Sequence, residues 1–218
     1  MTSNPLLAFL HILLMVFWIG TDIGVFIAGF YLMDARLSIP QRQTAIGLGM
    51  VIDRFPRLCF VALLPVGVQM AVQMHALNLP GSVVLAMWSA AVVWLSASLW
   101  PMFRPSSPLN RLTHGFERMM QVLTIAILIG GATVMLAGSG PGWLAVKLLM
   151  FAVACAAVIP LELAFAAPMA AFGEICAEGT TPERETRLRH GMYWTYVWVL
   201  TIYVAVLAAA YLGVAKPF

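Results

Sequence analysis

Residues 6–33 read LLAFLHILLMVFWIGTDIGVFIAGFYLM, an apolar stretch in which His11 and Asp22 are the only side chains that can carry charge. About 20 apolar residues suffice for a helix to cross a bilayer, so this stretch predicts a tilted transmembrane helix. With a rise of 1.5 Å per residue, the imidazole and the carboxylate lie about 16 Å apart along the helix axis. Ionisable groups at such depth are costly and mark functional sites.

The two sides of this first helix differ in character. At about 100° per residue, one stripe carries His11, Met15, Trp18, Asp22, Phe26 and Gly29. The other side carries Gly20 and Gly24, a small-xxx-small pattern that favours close approach of a second helix. We therefore expect the first stripe to be functional, with Trp18 as a cofactor-binding aromatic, and the glycine side to pack.

The rest of the chain is equally apolar. Of its 218 residues 62% are hydrophobic and 10% charged, and the mean hydropathy is +0.93. Soluble domains are about 25% charged, so this composition indicates an all-α polytopic membrane protein. We expect a single transmembrane domain over residues 1–218. Its helices are predicted at approximately 6–33, 55–75, 83–101, 115–137, 143–172 and 190–214.

Basic residues are confined to alternate connections. Ten of the twelve Lys and Arg lie near 34–57, 102–118 and 173–191, and only Lys147 and Lys216 lie elsewhere. The positive-inside rule places those three connections in the cytoplasm and both termini outside, in the periplasm for a bacterial inner membrane. The net charge of +3 is therefore a topology signal and does not indicate nucleic-acid binding.

The four histidines divide by depth into an outer and an inner pair. His11 and His75 lie toward the outer side, and His114 and His190 lie toward the cytoplasm. Haem b between helices needs an axial nitrogen or sulfur ligand, usually His, with apolar walls. The sequence predicts an outer site of His11 with His75 or Lys147, and leaves open an inner site of His114 with His190. The sequence thus predicts one haem, or two if the inner site is used. For His75, His114 and His190 the alternative is a capping or hydrogen-bonding role at the membrane interface.

Copper is the alternative cofactor. Imidazole and thioether groups bind copper, and the chain has 14 methionines, among them Met70 and Met74 just before His75. In that interpretation His11 and His75 are the metal ligands of a permease. Methionine at helical spacing is also common packing material, and no methionine array lies on an outer loop.

Asp22 and Glu162 are the acidic groups within apolar stretches, and Arg54 and Arg57 enter the second helix from the cytoplasmic side. A network of such groups conducts protons or binds a polar head group such as that of a quinone. We take Asp22, Glu162 and Arg57 as candidate catalytic residues. The alternative is a structural ion pair that holds the helices in register.

Three stretches resemble a known superfamily of small multipass membrane proteins. Residues 10–26, LHILLMVFWIGTDIGVF, resemble its first helix, in which a His is followed by W-x-G. Residues 142–153, GWLAVKLLMFAV, resemble a later helix with a Lys after a Gly-rich turn, and 54–67, RFPRLCFVALLPVG, resemble the helix between them. The group includes HemJ-type protoporphyrinogen oxidases and CopD-type copper resistance proteins. The membrane part of a cytochrome-linked urate oxidase is distantly similar.

The HemJ resemblance implies a b haem on His11 and an essential role for Lys147. We therefore expect an inner-membrane haem b redox protein, either an electron-transfer subunit or an oxidase coupled to quinone or a cytochrome. A CopD-like copper permease and a non-catalytic subunit of a larger membrane complex are the alternatives. The expected partners are the lipid bilayer, quinone or a cytochrome, and other membrane subunits or a second copy of the chain.

Overall fold

The computed structural model describes residues 4–217, and within that range it contains helices and no strand. The helices are α1 Pro5–Met33, α2 Ile39–Ile52, α3 Arg54–Gln73, α4 Gly81–Phe103, α5 Asn110–Val134, α6 Gly142–Glu178 and α7 Pro182–Ala215, with a π-helical turn, Met135–Ser139, after α5. Six segments are long and apolar enough to cross a membrane, with α2 and α3 counted together. The prediction of an all-α polytopic bundle is confirmed.

The bundle presents apolar side chains on its outside. On α1 alone, Phe9, Ile12 and Val16 are 58%, 59% and 53% exposed. A soluble protein rarely exposes a continuous apolar surface of this kind, whereas in a bilayer the same surface contacts acyl chains. The chain is therefore a multi-pass membrane protein surrounded by lipid.

Helices α6 and α7 form the most extensive helix–helix contact of the bundle. Helix α6 also packs on α5, while α1 packs on α2, α3 and α7. The main core joins α1, α3, α6 and α7 around Trp18, Leu63, Cys155 and Ile202. These four helices therefore share the main core of the bundle.

The close approach predicted at Gly20 is wrong, whereas a Cβ at Gly24 would be in ordinary contact with Ile52 on α2, at 3.6 Å. A Cβ added at Gly20 would meet nothing within 4 Å, whereas one at Gly49 would lie 2.8 Å from the Ala28 side chain. At Gly29 an added Cβ would lie 2.5 Å from the Tyr196 hydroxyl. Helix α1 lies at the edge of the bundle, so the stripe with His11 and Asp22 faces its neighbours and the Gly20 side faces lipid.

The second helix begins earlier than predicted. Ser38 and Gln41 form a capping box at the start of α2, and the chain turns at Asp53 into α3. Arg42 on α2 is 1% exposed and makes a bidentate pair with Glu185 on α7, with nitrogen–oxygen distances of 2.7 and 3.0 Å. Its Nε also donates to the carbonyl of Leu32 at 2.7 Å. The ion pair fixes α2 against α1 and α7.

The expected fifth connection, 173–191, is largely helical. Helix α6 continues to Glu178 and α7 begins at Pro182, which leaves a link of three residues. Two ion pairs join the helix ends: Glu174 with Arg187, and Glu178 with Arg184. The predicted boundaries near 172 and 190 are wrong because polar residues end an apolar run without ending a helix that extends beyond the bilayer.

Candidate functional site

An apolar cavity of about 330 Å³ opens between α1, α3, α6 and α7. It lies at the end of the bundle where α1 and α6 begin and α3 and α7 end, which we call the cavity end. The opposite end, where α1 and α6 end and α7 begins, carries the arginines and is called the arginine end. Small-molecule sites are commonly cavities of about 300–1,000 Å³ with apolar walls and few polar groups, and this cavity falls within that range.

His11 is a polar group in the cavity wall. It lies two turns into α1, its side chain is half-buried, and its Nδ1 is buried with no hydrogen-bond partner among the described residues. A Cβ at Gly67 on α3 would lie 3.0 Å from Cε1 of the imidazole, so the glycine makes room for the ring. Buried polar atoms are nearly always paired, so the unpaired Nδ1 leaves His11 without a full structural explanation and makes it a candidate functional residue.

Lys147 lies on the same cavity, in the second turn of α6. Its ammonium group passes over Gly213 on α7, where an added Cβ would lie 2.5 Å from Nζ. Lys147 interacts electrostatically with His11 and with Lys216, and Lys216 lies over the Trp143 ring with Nζ 5.4 Å from the ring centroid. Three basic groups therefore converge on one cavity.

Acidic side chains are absent from this group. Along α1 the nearest one is Asp22, about 16 Å from His11 along the helix axis. Within residues 4–217, neither Lys147 nor Lys216 forms a salt bridge. Among the described residues the basic groups of this cavity thus have no acidic partner, an arrangement that favours an anionic ligand.

Of the predicted outer residues, the structure brings His11 and Lys147 to the cavity and leaves His75 outside its wall. His75 follows the end of α3 in a left-handed conformation with φ of 56°, and its side chain is exposed. Its neighbours Met74 and Ala76 line the cavity. The turn that closes α3 directs the histidine away, so Lys147 is the residue that accompanies His11.

Trp18, predicted to bind the cofactor, lies two turns deeper than His11 in the core. It is 5% exposed and packs edge-on against Phe60 and Phe151, with ring centroids 5.4 and 6.1 Å away. Phe151 itself lines the cavity. Trp18 therefore supports the cavity wall from behind.

The predicted inner pair is not brought together. His114 lies on α5, which packs on α4 and α6, and His190 lies on α7, which packs on α6 and α1. Both side chains are exposed, and Nδ1 of His114 lies 3.4 Å from Glu117 on its own helix. An enclosed site between these two histidines has no support in this arrangement.

The predicted charged network is present in part. Arg57 pairs with Asp53 at 2.6 Å and lies 4.0 Å from Glu162. Asp22 lies beside the Tyr203 hydroxyl on α7 and interacts electrostatically with Asp53 and Arg57. The network links α1, α3 and α7 at mid-depth, as expected from Asp22 and Arg57.

Glu162 has a second and closer partner on α5. Arg118 donates to its carboxylate at 2.5 Å, and both side chains are 39% exposed. This geometry joins α5 and α6, which agrees with the alternative of a structural ion pair. Arg54, which the sequence also placed near this network, is exposed.

Sequence reasoning missed three residues at these sites: Lys216 at the cavity, Tyr203 beside Asp22, and Arg118 at Glu162. Lys216 carried a signal, since it and Lys147 are the two basic residues outside the arginine-rich connections. Arg118 belonged to a polar stripe on α5 with no identified partner. Tyr203 carried no signal in the sequence, because a tyrosine in an apolar helix can lie at the membrane interface or in the core.

Comparisons with protein-family models, with curated proteins and with solved structures found no match to this chain. The resemblance to HemJ-type and CopD-type proteins therefore stays a prediction. Evidence for function comes from the cavity and from the charges around it.

Proposed function

We propose that the cavity binds haem b and that the chain is a membrane redox protein, either an electron-transfer subunit or an oxidase. The observation that carries the proposal is the His11 imidazole in the wall of an apolar cavity, whose buried Nδ1 has no hydrogen-bond partner among the described residues. An imidazole is the usual axial ligand of haem iron in proteins. The resemblance to HemJ-type proteins adds to the same assignment, since it implies haem on His11.

The residues of the cavity fit a haem. The absence of a Cβ at Gly67 and Gly213 makes room for the His11 ring and for the Lys147 side chain at the cavity. Leucine, valine and phenylalanine side chains provide apolar walls, with Phe151 as the aromatic one supported by Trp18. Bound haem would supply reversible one-electron chemistry at this position. His11 would hold the iron, and the closed apolar wall would keep water from it.

The partner that exchanges electrons would be quinone or a cytochrome. The cavity has exposed apolar residues at its mouth, which suits a lipid-soluble carrier such as quinone. The arginine distribution supports an orientation with the cavity end outside and the arginine end in the cytoplasm. In a bacterial inner membrane, the haem would then lie near the periplasmic surface, where a cytochrome could also approach.

Absorption spectroscopy of the detergent-purified protein tests the haem. We expect a Soret band that shifts on reduction with dithionite, together with α and β bands. His11→Ala should remove most of the haem, because the axial nitrogen is lost. His75→Ala is the matched control, since this histidine lies at the same end and outside the cavity wall. A His11→Ala protein with full haem content would refute the assignment.

Asp22 is proposed to handle the proton that accompanies electron transfer. It lies about 16 Å from His11 along the axis of α1, and it lies beside the Tyr203 hydroxyl. General acid–base groups contribute about 10²–10⁴-fold to rates. We expect Asp22→Asn to keep its haem and to slow re-oxidation by a quinone analogue about 100-fold in stopped-flow measurements. An unchanged rate would leave Asp22 with a structural role.

Copper(I) is a second candidate because methionines share the cavity with His11. Met15, Met70 and Met74 line the same wall, and thioether and imidazole groups suit copper(I). The two lysines argue against a bare cation, since they repel one. Copper content after growth with added copper separates the two candidates: bound copper without a Soret band would favour the permease.

A further inference from the structure

The chain contains two lysines, and both lie at one cavity. All ten arginines belong to the connections at the arginine end or to the helix segments next to them, whereas Lys147 and Lys216 line the cavity with His11. The positive-inside rule accounts for the arginines, but it does not explain two lysines beside an apolar cavity. We propose that Lys147 and Lys216 form a carboxylate clamp for the ligand of this cavity.

The clamp rests on the proposed function, because haem b is an apolar ring that carries two propionate carboxylates. A ligand held by His11 at its metal and by two lysines at its carboxylates would use all three basic groups of the cavity. Nζ of Lys147 lies over Gly213, three residues before Lys216, and the two lysines interact electrostatically, so both border the same part of the cavity. This part of the cavity is the expected position for the polar edge of the ring.

The two lysines differ in depth. Lys147 is half-buried between α6 and α7, whereas Lys216 is exposed at the end of α7 above Trp143. A cation withdrawn from water without a counter-charge is unfavourable, so Lys147 has the larger need for an anion. Lys216 remains hydrated and contributes an attraction that solvent weakens. Lys147 is therefore the main anchor, and Lys216 is the rim residue.

The mouth of the cavity indicates what can enter. Ile12 and Val214 line it and are 59% and 87% exposed. These apolar residues face lipid, and Lys216 is two residues beyond Val214. A ligand with an apolar body and an acidic edge can therefore enter from the outer leaflet or the membrane surface with its carboxylates toward Lys216. A neutral apolar ligand would leave both lysines without partners.

Haemin and its dimethyl ester separate the carboxylates from the ring and the iron. The detergent-purified apo-protein, made in haem-deficient cells, is titrated with each compound and binding is followed by the Soret band. We expect the wild-type protein to bind haemin about 10–100-fold more tightly than the ester, as is typical of hydrogen bonds to charged groups. Lys147→Gln should weaken haemin binding about tenfold and Lys216→Gln about two- to threefold.

Variants and controls make the assignment specific. Neither Gln variant should change binding of the ester, because the ester has no carboxylate with which a lysine could pair. Lys147→Arg and Lys216→Arg should retain most of the preference for haemin, while Arg36→Gln, a charge loss at the arginine end, should leave it unchanged.

Two outcomes would overturn the proposals, and they are distinguishable. Equal affinity of the wild-type protein for haemin and for the ester would overturn the clamp and leave the haem site in place. Absence of a haem spectrum with either compound would overturn the haem site and the clamp with it. The decisive comparison uses the wild-type chain, so a variant that fails to fold does not affect it.

Discussion

The two ends of the bundle treat charge in opposite ways. Away from the cavity end six arginines have acidic partners: Arg36 with Asp34, Arg42 with Glu185, Arg57 with Asp53, Arg118 with Glu162, Arg184 with Glu178 and Arg187 with Glu174. At the cavity end, Lys147 and Lys216 have none among the described residues. Paired charges hold helices together and set the orientation. Lysines without an acidic partner beside an apolar cavity favour a ligand that carries negative charge.

The arginine end also contains a contrast of its own. The Arg42–Glu185 pair is buried between α2 and α7, whereas the Arg36–Asp34 pair lies in the exposed turn after α1. Both pairs have good geometry. The Arg42 pair is buried and joins two helices, and Arg42 also donates to the Leu32 carbonyl, so the same chemical change at each site measures what a buried link between helices adds.

Removal of one member of the buried pair should give the largest effect. Arg42→Ala leaves the Glu185 carboxylate buried without its partner and frees the Leu32 carbonyl. Broken buried pairs cost about 3–5 kcal/mol. We expect a loss of this size in the free energy of unfolding, measured by denaturant titration in detergent with tryptophan fluorescence.

Arg36→Ala is the matched control for that experiment. It removes a guanidinium whose side chain is 89% exposed and should change the unfolding free energy little. Equal losses for Arg42→Ala and Arg36→Ala would show that burial does not distinguish the two pairs.

At the cavity end, Gly67→Ala should weaken haem binding without removing any charge. The added Cβ would lie 3.0 Å from Cε1 of His11 and displace the ring. Overpacking of this kind costs about 1–3 kcal/mol, or at least about fivefold in affinity. Spectroscopic titration with haemin measures the change. Gly130→Ala on α5 is the control, since an added Cβ there meets nothing within 4 Å; a similar loss in both variants would argue against crowding at His11.

The smallest effect is expected at Asp34. Hydrogen bonds from Arg36 lower the pKa of the Asp34 carboxyl to about 2. Since the folded pKa is below the ordinary value of about 3.9, the stabilisation is complete above pH 4 and is lost as the pH falls through 2. In Arg36→Ala the titration midpoint of Asp34, followed by NMR of the carboxyl carbon, should rise toward 3.9. An unchanged midpoint would mean that the guanidinium does not hold the carboxylate.

The sequence by itself determined the class of the protein and the approximate position of six spans. An apolar run long enough to cross the bilayer forms a helix, because every backbone N–H and C=O group in the bilayer core must be hydrogen-bonded within the segment. His11 and Asp22 were also visible, since an ionisable side chain stands out in such a run. Boundaries failed where a helix leaves the bilayer, as at Glu178 and Pro182, because hydropathy falls there and the helix continues.

Only the tertiary structure decided which side chains meet. Helical periodicity placed Gly20 and His11 on opposite sides of α1, but the neighbours of α1 decided that the His11 side packs. The same holds for Lys216 beside Lys147, for Arg42 against Glu185, and for His75, which the turn after α3 directs out of the cavity. Contacts between distant segments depend on how helices dock, and residue patterns within one helix contain little information about its partner.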